Sequence, residues 1–191
     1  CGPKKLMRFE IIDNFLSEKN WRNNYSLFMT EDIKWTYKSV PQDPNSFFFQ
    51  HMFTGFSNEY TQNETSFVSP ASNIKEKEIT HYPIAIEPIL KNFEYKKIIN
   101  ARTNLFTRMP DNYSYNVVDG AGLHNDHGYS FEYTTMIYYI NTTNGGTYFE
   151  NGEKVQSKEN RLVVFDGHML HGHIYQTDEK ARVATNINII V

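Results

Sequence analysis

The sequence predicts a mainly β protein with flanking helices: a double-stranded β-helix (jelly roll) with an N-terminal α/β layer. Two observations support this fold class. Short runs of β-favouring residues, broken by glycine and proline, recur through the second half of the chain, which is typical of sandwiches and jelly rolls. Helical periodicity occurs only in the first hundred residues or so. Hydrophobic residues make up 39% of the 191 residues, enough to build one sizeable core.

The N-terminal layer is expected to combine a helix with short strands. Phe9–Phe15 predicts a strand, and Ser17 is a suitable N-cap for a helix that runs to about Met29. The aromatic-rich segments Lys34–Val40 and Ser46–Phe56 predict two further strands.

A long polar segment separates these strands from a second predicted helix. Residues 57–80 show little periodicity, and connections of this length are often lids or mobile segments. Pro83 suits a first helical turn, so a helix is predicted from there to about Asn100. Its apolar face would consist of Ile86, Ile89, Leu90 and Phe93.

The remainder of the chain predicts the jelly-roll core, over residues 102–191. Its β-like runs are 102–109, 113–118, 133–141, 147–150, 161–166 and 182–191. We expect a single domain over 7–191, with residues 1–6 a cloning remnant ahead of Met7.

Composition argues against several classes of function. The net charge is −3 with no long basic run, so nucleic acid is an unlikely partner. Cys1 is the single cysteine, which fits a reducing compartment, and we expect a cytoplasmic protein. No apolar run is long enough to span a bilayer, so no membrane is expected. No nucleophile elbow or phosphate-binding glycine loop is present.

The tripeptide His124-Asn125-Asp126 carries the first chemical signal. In an extended segment, residues two apart point to the same side, so an imidazole and a carboxylate would face one site. A second histidine would complete the 2-His-1-carboxylate triad of non-haem Fe(II) oxygenases. On the tripeptide alone, a surface turn with a hydrogen-bonding Asn-Asp pair is the favoured explanation.

A second histidine and a cation are available downstream. The segment Arg161–His173 reads as a buried strand that runs into a turn with His168, His171 and His173. Arg182 begins an alternating strand, where it would either face the core beside a carboxylate ligand or remain exposed near Asp178 and Glu179.

Taken in order, these segments resemble the Fe(II)/2-oxoglutarate-dependent oxygenase superfamily, in particular its prolyl-4-hydroxylase-like branch. The similarity is carried by HND at 124–126, TTMIYYIN at 134–141, GGTYFENGE at 145–153, NRLVVFDG at 160–167 and HGHIYQTDEKAR at 171–182. FEIIDNFLS near the start also resembles the opening of such domains.

The resemblance implies roles for individual residues. His124 and Asp126 would be the first two iron ligands. The distal ligand would be His171, with His173 and then His168 as alternatives, and His127 would lie at the rim of the site. Arg182 would bind the distal carboxylate of 2-oxoglutarate (2OG). Three further residues are expected near the cosubstrate: Tyr139, whose hydroxyl would support the same carboxylate unless it is a plain core aromatic, Asn186 and Tyr148.

The implied activity is an Fe(II)- and 2OG-dependent dioxygenase that uses O2 to hydroxylate an unactivated C–H bond and releases succinate and CO2. The branch favours a prolyl or other amino-acid residue of a protein or peptide as substrate, with small molecules as the other class. Two alternatives stand beside it: a non-catalytic jelly-roll module, and a cupin-like metal enzyme that does not use 2OG. The oligomeric state is not encoded in any motif.

Overall fold

A computed structural model describes residues 9–30, 33–39, 47–54, 80–111, 113 and 122–191. In chain order the elements are β1 (Phe9–Ile12), α1 (Glu18–Met29), β2 (Thr36–Ser39), β3 (Phe47–Thr54), α2 (Tyr82–Ala85), α3 (Glu87–Leu90), β4 (Lys97–Thr107), β5 (Thr134–Tyr139), β6 (Gly146–Phe149), β7 (Lys154–Gln156), β8 (Arg161–Asp166), β9 (His171–Ile174) and β10 (Ala181–Ile190).

The strands form two antiparallel sheets that face each other. The major sheet has seven strands in the order β1-β8-β5-β10-β4-β3-β2, and the minor sheet has three in the order β7-β6-β9. The strand order is far from the chain order, as it is when a chain winds between two sheets. The jelly-roll prediction is confirmed.

The first helix forms as its cap predicts. The Ser17 hydroxyl accepts a hydrogen bond from the Asn20 amide at 3.4 Å, and α1 ends at Met29. Phe28 is buried against the core. Among the described residues, no helix is both long and apolar enough to cross a membrane.

The helix predicted from Pro83 to Asn100 is wrong in its second half. The chain forms two single-turn helices, α2 and α3, which are separated at Ile86. Pro88 lies in the first turn of α3 and cannot donate a main-chain hydrogen bond, so one continuous helix is not formed. From Lys97 the chain is a strand, because it pairs with β10 over its whole length. The spacing that predicted a helix came from buried side chains in and next to the two short helices: Ile86, Ile89, Leu90 and Phe93.

The other boundaries differ by a few residues. The first two predicted strands are shorter than expected, and β3 spans the described part of the predicted Ser46–Phe56 run. β4 begins five residues earlier than the predicted 102–109 run, and β7 and β9 were not predicted as strands. β9 contains two of the three histidines assigned to a turn. The expected strand at 113–118 and the segment 57–80 lie outside the described residues, except for Tyr113 and Thr80.

The central strands β5, β8 and β10 of the major sheet are buried on both faces, and the two faces differ. We call the face that packs on the helices the helix face, and the face towards the minor sheet the site face. On the helix face, Met136, Tyr138, Leu162, Val164, Val183, Ile187 and Ile189 pack with residues of α1, α2 and α3. On the site face, Ile137, Tyr139, Val163, Phe165 and Ala184 pack with Phe149 and Val155 of the minor sheet. Tyr138 and Tyr139 therefore point to opposite faces, as strand alternation predicts.

Candidate metal centre

The main chain joins the two predicted histidine ligands directly. His124 and His171 form an isolated antiparallel bridge, in which each amide donates to the other's carbonyl at 2.9 Å. Their imidazole centroids are 5.0 Å apart. The segment that carries His124 thus lies beside β9 at the edge of the minor sheet.

Asp126 completes a cluster with these two histidines. The donor atoms of His124, Asp126 and His171 all lie within 4.8 Å of one another. Nε2 of His171 is 4.0 Å from Oδ2 of Asp126. Two imidazoles and a carboxylate in this arrangement are the donor set of a facial Fe(II) site.

Both imidazoles are oriented by main-chain carbonyls. Nδ1 of His124 is 2.9 Å from the Gly122 carbonyl, and Nδ1 of His171 is 3.1 Å from the Met169 carbonyl. A carbonyl oxygen can only accept, so both Nδ1 atoms must donate, and each Nε2 keeps the lone pair that a metal requires. Burial lowers the pKa of His171 in spite of nearby Asp126, which favours the neutral ligand form.

Asp126 is buried yet ionised. Its side chain is 1% exposed, and its Oδ1 accepts a hydrogen bond from Nη2 of Arg102 at 2.5 Å. Burial acts to raise the pKa of this carboxyl, but the Arg102 guanidinium and the surrounding imidazoles outweigh it and hold the pKa well below its usual range. The anionic form that binds a metal is therefore present at neutral pH.

A buried amide network supports the other oxygen of Asp126. Oδ2 accepts from the side-chain amides of Asn186 at 3.0 Å and Asn188 at 3.2 Å. Asn188 also donates to Oδ1 of Asn100 at 3.0 Å, and the amide nitrogen of Asn100 lies 2.9 Å from Nε2 of His127. His127 was expected at the rim, but it is 8% exposed and belongs to this network, so that expectation is wrong.

Asn188, Asn100 and Arg102 were not predicted from the sequence, although the pattern around Asn188 gave a signal for that residue. The terminal strand reads Asn186-Ile187-Asn188 in an alternating pattern, which places two amides on one face of a buried strand. Buried amides need partners, so a polar group opposite them could have been expected.

Arg182 is a buried cation on the site face of β10, the face that also carries Asn186 and Asn188. Arg182 is 2% exposed. Among the described residues, its Nε and Nη2 atoms have no hydrogen-bond partner. Its Cζ is 4.2 Å from the centroid of the Phe106 ring. Burial lowers its pKa to about 10, so the guanidinium is still charged at neutral pH. A buried cation with open donors fits an anionic ligand.

The three residues predicted near the cosubstrate occupy different positions. Tyr139 is fully buried, and its hydroxyl donates to Oγ1 of Thr147 at 2.7 Å. Asn186 lines the cavity, and its side-chain amide donates to Asp126. Tyr148 packs against Gly172, where a Cβ atom would meet its ring, and its neighbour Thr147 lines the cavity instead. Their roles towards a cosubstrate stay predictions.

The metal cluster and Arg182 open into one cavity of about 470 Å³, a size that suits a small ligand. His173 also lines it, stacked on Phe106 at 4.9 Å, but it lies outside the three-residue cluster. His168 belongs to a second, more exposed group with Glu132 and Asp166. Of the three candidate histidines, the geometry therefore brings His171 to His124 and Asp126.

Comparison with known proteins places this architecture. No protein-family model and no curated protein sequence matches the chain. Among solved structures, a prolyl hydroxylase from Trichoplax adhaerens, in complex with a hypoxia inducible factor oxygen degradation domain peptide fragment, is similar with a TM-score of 0.57 at 13% identity, covering 96% of this chain and 83% of that one. The chain has the prolyl hydroxylase fold.

Two further structures support the same conclusion. The viral collagen prolyl hydroxylase of Paramecium Bursaria Chlorella virus-1, solved as a 2OG complex, gives a TM-score of 0.53 at 14% identity over 97% of both chains. A prolyl-4-hydroxylase of Pseudomonas putida gives 0.54 at 11% identity over 96% of this chain and 93% of that one. The resemblance seen in the sequence is thus confirmed at the level of the fold, and the activity is argued from the residues of this chain.

Proposed function

We propose that this chain is an Fe(II)- and 2OG-dependent dioxygenase. It would use O2 to hydroxylate an unactivated C–H bond, with release of succinate and CO2. The substrate would be a prolyl or other amino-acid residue of a protein or peptide. The peptide bound to the similar Trichoplax adhaerens enzyme supports this class of substrate.

One observation carries the proposal: the metal cluster and the buried cation Arg182 line the same cavity. His124, Asp126 and His171 supply the donors for Fe(II), and Arg182 supplies a buried positive charge. An enzyme that used the metal alone would have no use for Arg182, whose burial is unfavourable without an anion. A dicarboxylate that reaches from the metal to the guanidinium satisfies both.

Each part of the chain has a defined task in this reaction. His124, Asp126 and His171 would hold Fe(II), which when bound would supply O2 activation coupled to oxidative decarboxylation of 2OG. Arg182 would bind the distal carboxylate and so orient the cosubstrate. The amides of Asn186 and Asn188 keep the Asp126 carboxylate in place.

The cavity wall contributes by excluding water. Phe106, Ile137 and Ala184 line the cavity beside the charged groups. Such apolar walls strengthen the attraction between Arg182 and a bound carboxylate, because they keep the local dielectric constant low.

The test is an anaerobic titration with Fe(II) and then 2OG, followed by the weak visible charge-transfer band of the ternary complex. Wild type would be compared with His171→Ala and Arg182→Ala. His173→Ala is the matched control, since it removes a cavity-lining imidazole from the same face of β9. Metal content would be measured in parallel, and succinate release would be assayed with proline-containing peptides.

We expect the band in wild type and in His173→Ala but not in the other two variants. Metal binding without the band in wild type would indicate a metal enzyme that does not use 2OG. A folded protein that binds no metal would be a jelly-roll binding module, and the proposal would be wrong.

A further inference from the structure

A second arginine lines the cavity, beside the metal cluster. Arg102 lies on β4, where Asn104 and Phe106 share its strand face and also line the cavity. Its register partners are Met52 on β3 and Asn186 on β10. Its guanidinium lies at the Asp126 carboxylate, to which Nη2 donates a hydrogen bond.

Arg102 and Arg182 differ in accessibility. The side chain of Arg102 is 17% exposed, whereas Arg182 is 2% exposed as a residue. Within the described part of the chain, Arg102 makes a hydrogen bond only through Nη2, to Asp126. A guanidinium has five N–H donors in a fork that matches a carboxylate, so Arg102 keeps donors for a second partner.

The charges around the cavity do not balance once the proposed cofactors are bound. Of the described residues that line it, Arg102 and Arg182 are cationic and Asp126 is anionic. Fe(II) and 2OG carry opposite double charges and cancel each other. One positive charge is left over in a partly desolvated site, where an unpaired charge is unfavourable. An anionic group on the substrate would neutralise it.

The wall next to Arg102 suits a polar substrate. Nε2 of Gln50 donates to Oδ1 of Asn104 at 3.1 Å, and both side chains line the cavity. This pair leaves an amide NH2 on Asn104 and a carbonyl oxygen on Gln50 for further hydrogen bonds.

We propose that Arg102 binds a carboxylate of the substrate, close to the carbon that is hydroxylated. This inference rests on the proposed function and narrows its substrate class to molecules with a carboxylate near the reacting C–H bond. The carboxylate comes either from the terminus of an amino acid or peptide, or from an aspartyl or glutamyl side chain. The recognition chemistry is the same in both cases.

The experiment uses matched pairs of small probes that differ only in charge. N-acetyl-L-proline against its amide reports on a terminal carboxylate. N-acetyl-L-aspartate amide against N-acetyl-L-asparagine amide reports on a side-chain carboxylate. Binding to the anaerobic protein with Fe(II) and 2OG is measured from the shift of the charge-transfer band, without turnover.

The variants are Arg102→Gln and Arg102→Lys. Arg108→Gln is the matched control, because Arg108 follows the same strand but its side chain is 48% exposed and pairs with Asp111. Because Arg102→Gln removes the charged partner of Asp126, it could impair folding. Arg102→Lys is included for this reason, since it retains the positive charge but loses the paired N–H donors of the guanidinium. The affinities for Fe(II) and for 2OG are measured for each variant before the probes are added.

We expect wild type and Arg108→Gln to bind the acid of at least one pair more tightly than its amide, by about tenfold or more. Arg102→Gln should lose this preference, Arg102→Lys should retain part of it, and both should bind 2OG within about threefold of wild type. The pair that shows the preference identifies the source of the carboxylate.

Three results would overturn the inference. In the first, wild type prefers neither acid to its amide. In the second, Arg102→Gln keeps the preference of wild type. In the third, Arg102→Gln and Arg102→Lys both lose 2OG affinity, which would mean that Arg102 serves the cosubstrate. Because Fe(II) and 2OG binding are measured first, failure of this inference is distinguishable from failure of the proposed oxygenase function.

Discussion

The two faces of β10 follow opposite physical rules within one strand. On the helix face, Val183, Ile187 and Ile189 are fully buried among apolar neighbours. On the site face, the same strand presents Arg182 and two asparagines, which are also buried. Alternation along a strand is what allows one segment to carry both sets.

The helix face of β10 contributes mainly to stability, whereas its site face is suited to ligand binding. Burial of the helix face lowers the free energy of the folded state directly. The site face holds charged and amide groups whose burial is unfavourable unless each finds a partner. We therefore expect helix-face substitutions to change unfolding and site-face substitutions to change ligand affinity.

The largest expected effect is on the helix face. Ile187→Ala removes a fully buried side chain from the core and should lower the free energy of unfolding by about 2–5 kcal/mol. Urea denaturation of the metal-free protein measures this, with Ile190→Ala, at the less buried end of β10, as the milder control. Folded Ile187→Ala should bind 2OG as wild type does, and a selective loss of 2OG affinity would break the comparison.

The second effect is on the site face. Arg182→Met keeps an apolar stem but removes the cation, so 2OG affinity should fall by about 100-fold, or roughly 2.7 kcal/mol. The free energy of unfolding should stay equal or rise, because the buried charge has no partner at Nε or Nη2 in the described residues. Calorimetry and denaturation measure the two quantities. A loss of stability as large as that of Ile187→Ala would show that Arg182 is a structural residue.

A smaller effect concerns pH and the buried network. Burial lowers the pKa of His127 to about 4, so the unfolded chain binds a proton that the folded chain does not between about pH 6.5 and pH 4. The contribution of neutral His127 to the free energy of unfolding is therefore fully present above about pH 6.5 and is lost as the pH falls towards 4. Metal-free wild type should lose about 2 kcal/mol from His127 between pH 7.5 and pH 5.

His127→Gln tests this assignment, since it keeps a hydrogen-bonding side chain beside Asn100. Its unfolding free energy should depend less steeply on pH over that range. Part of the dependence should persist, because burial also lowers the pKa of His171. An unchanged pH dependence would assign the acid sensitivity to other groups.

The smallest effect is expected outside both faces. Asp13 joins Lys158 and Arg161 at the edge of β8, where its side chain is 38% exposed. Asp13→Asn should lower the free energy of unfolding by about 1 kcal/mol, because solvent screens the half-exposed carboxylate even though Arg161 donates to both of its oxygens. Addition of salt should reduce this difference in the free energy of unfolding. A much larger loss of stability would mean that these partly exposed charges contribute as much to stability as buried ones do.

The fold was predictable where local pattern and tertiary packing agree. Ser17 caps α1 because the cap needs only neighbouring residues. The helix that was expected to reach Asn100 failed because β4 is determined by partners on β3 and β10, which lie far away in sequence. The helical periodicity reflected the burial of apolar side chains between Ile86 and Phe93, but it carried no information on the pairing of β4 with β3 and β10.

The site was predictable to the extent that its residues form contiguous motifs. His124, Asp126, His171 and Arg182 lie in recognisable segments, and the structure brings all four to one cavity. Arg102 and Asn188 have no motif, and their importance depends on the fold that places them at Asp126. His127 was wrongly expected at the rim of the site, because its place next to Asp126 in the sequence does not show how deeply the fold buries it.

The main-chain bridge between His124 and His171 has a consequence for how the protein responds to metal. The entropy lost on closing the long stretch of chain between them is lost during folding, before any ion arrives. Binding of the proposed Fe(II) would then need only small side-chain adjustments, and because the ion would bind the folded state it would raise stability by mass action. Iron should therefore raise the melting temperature in a saturable way while the far-ultraviolet circular dichroism spectrum stays the same.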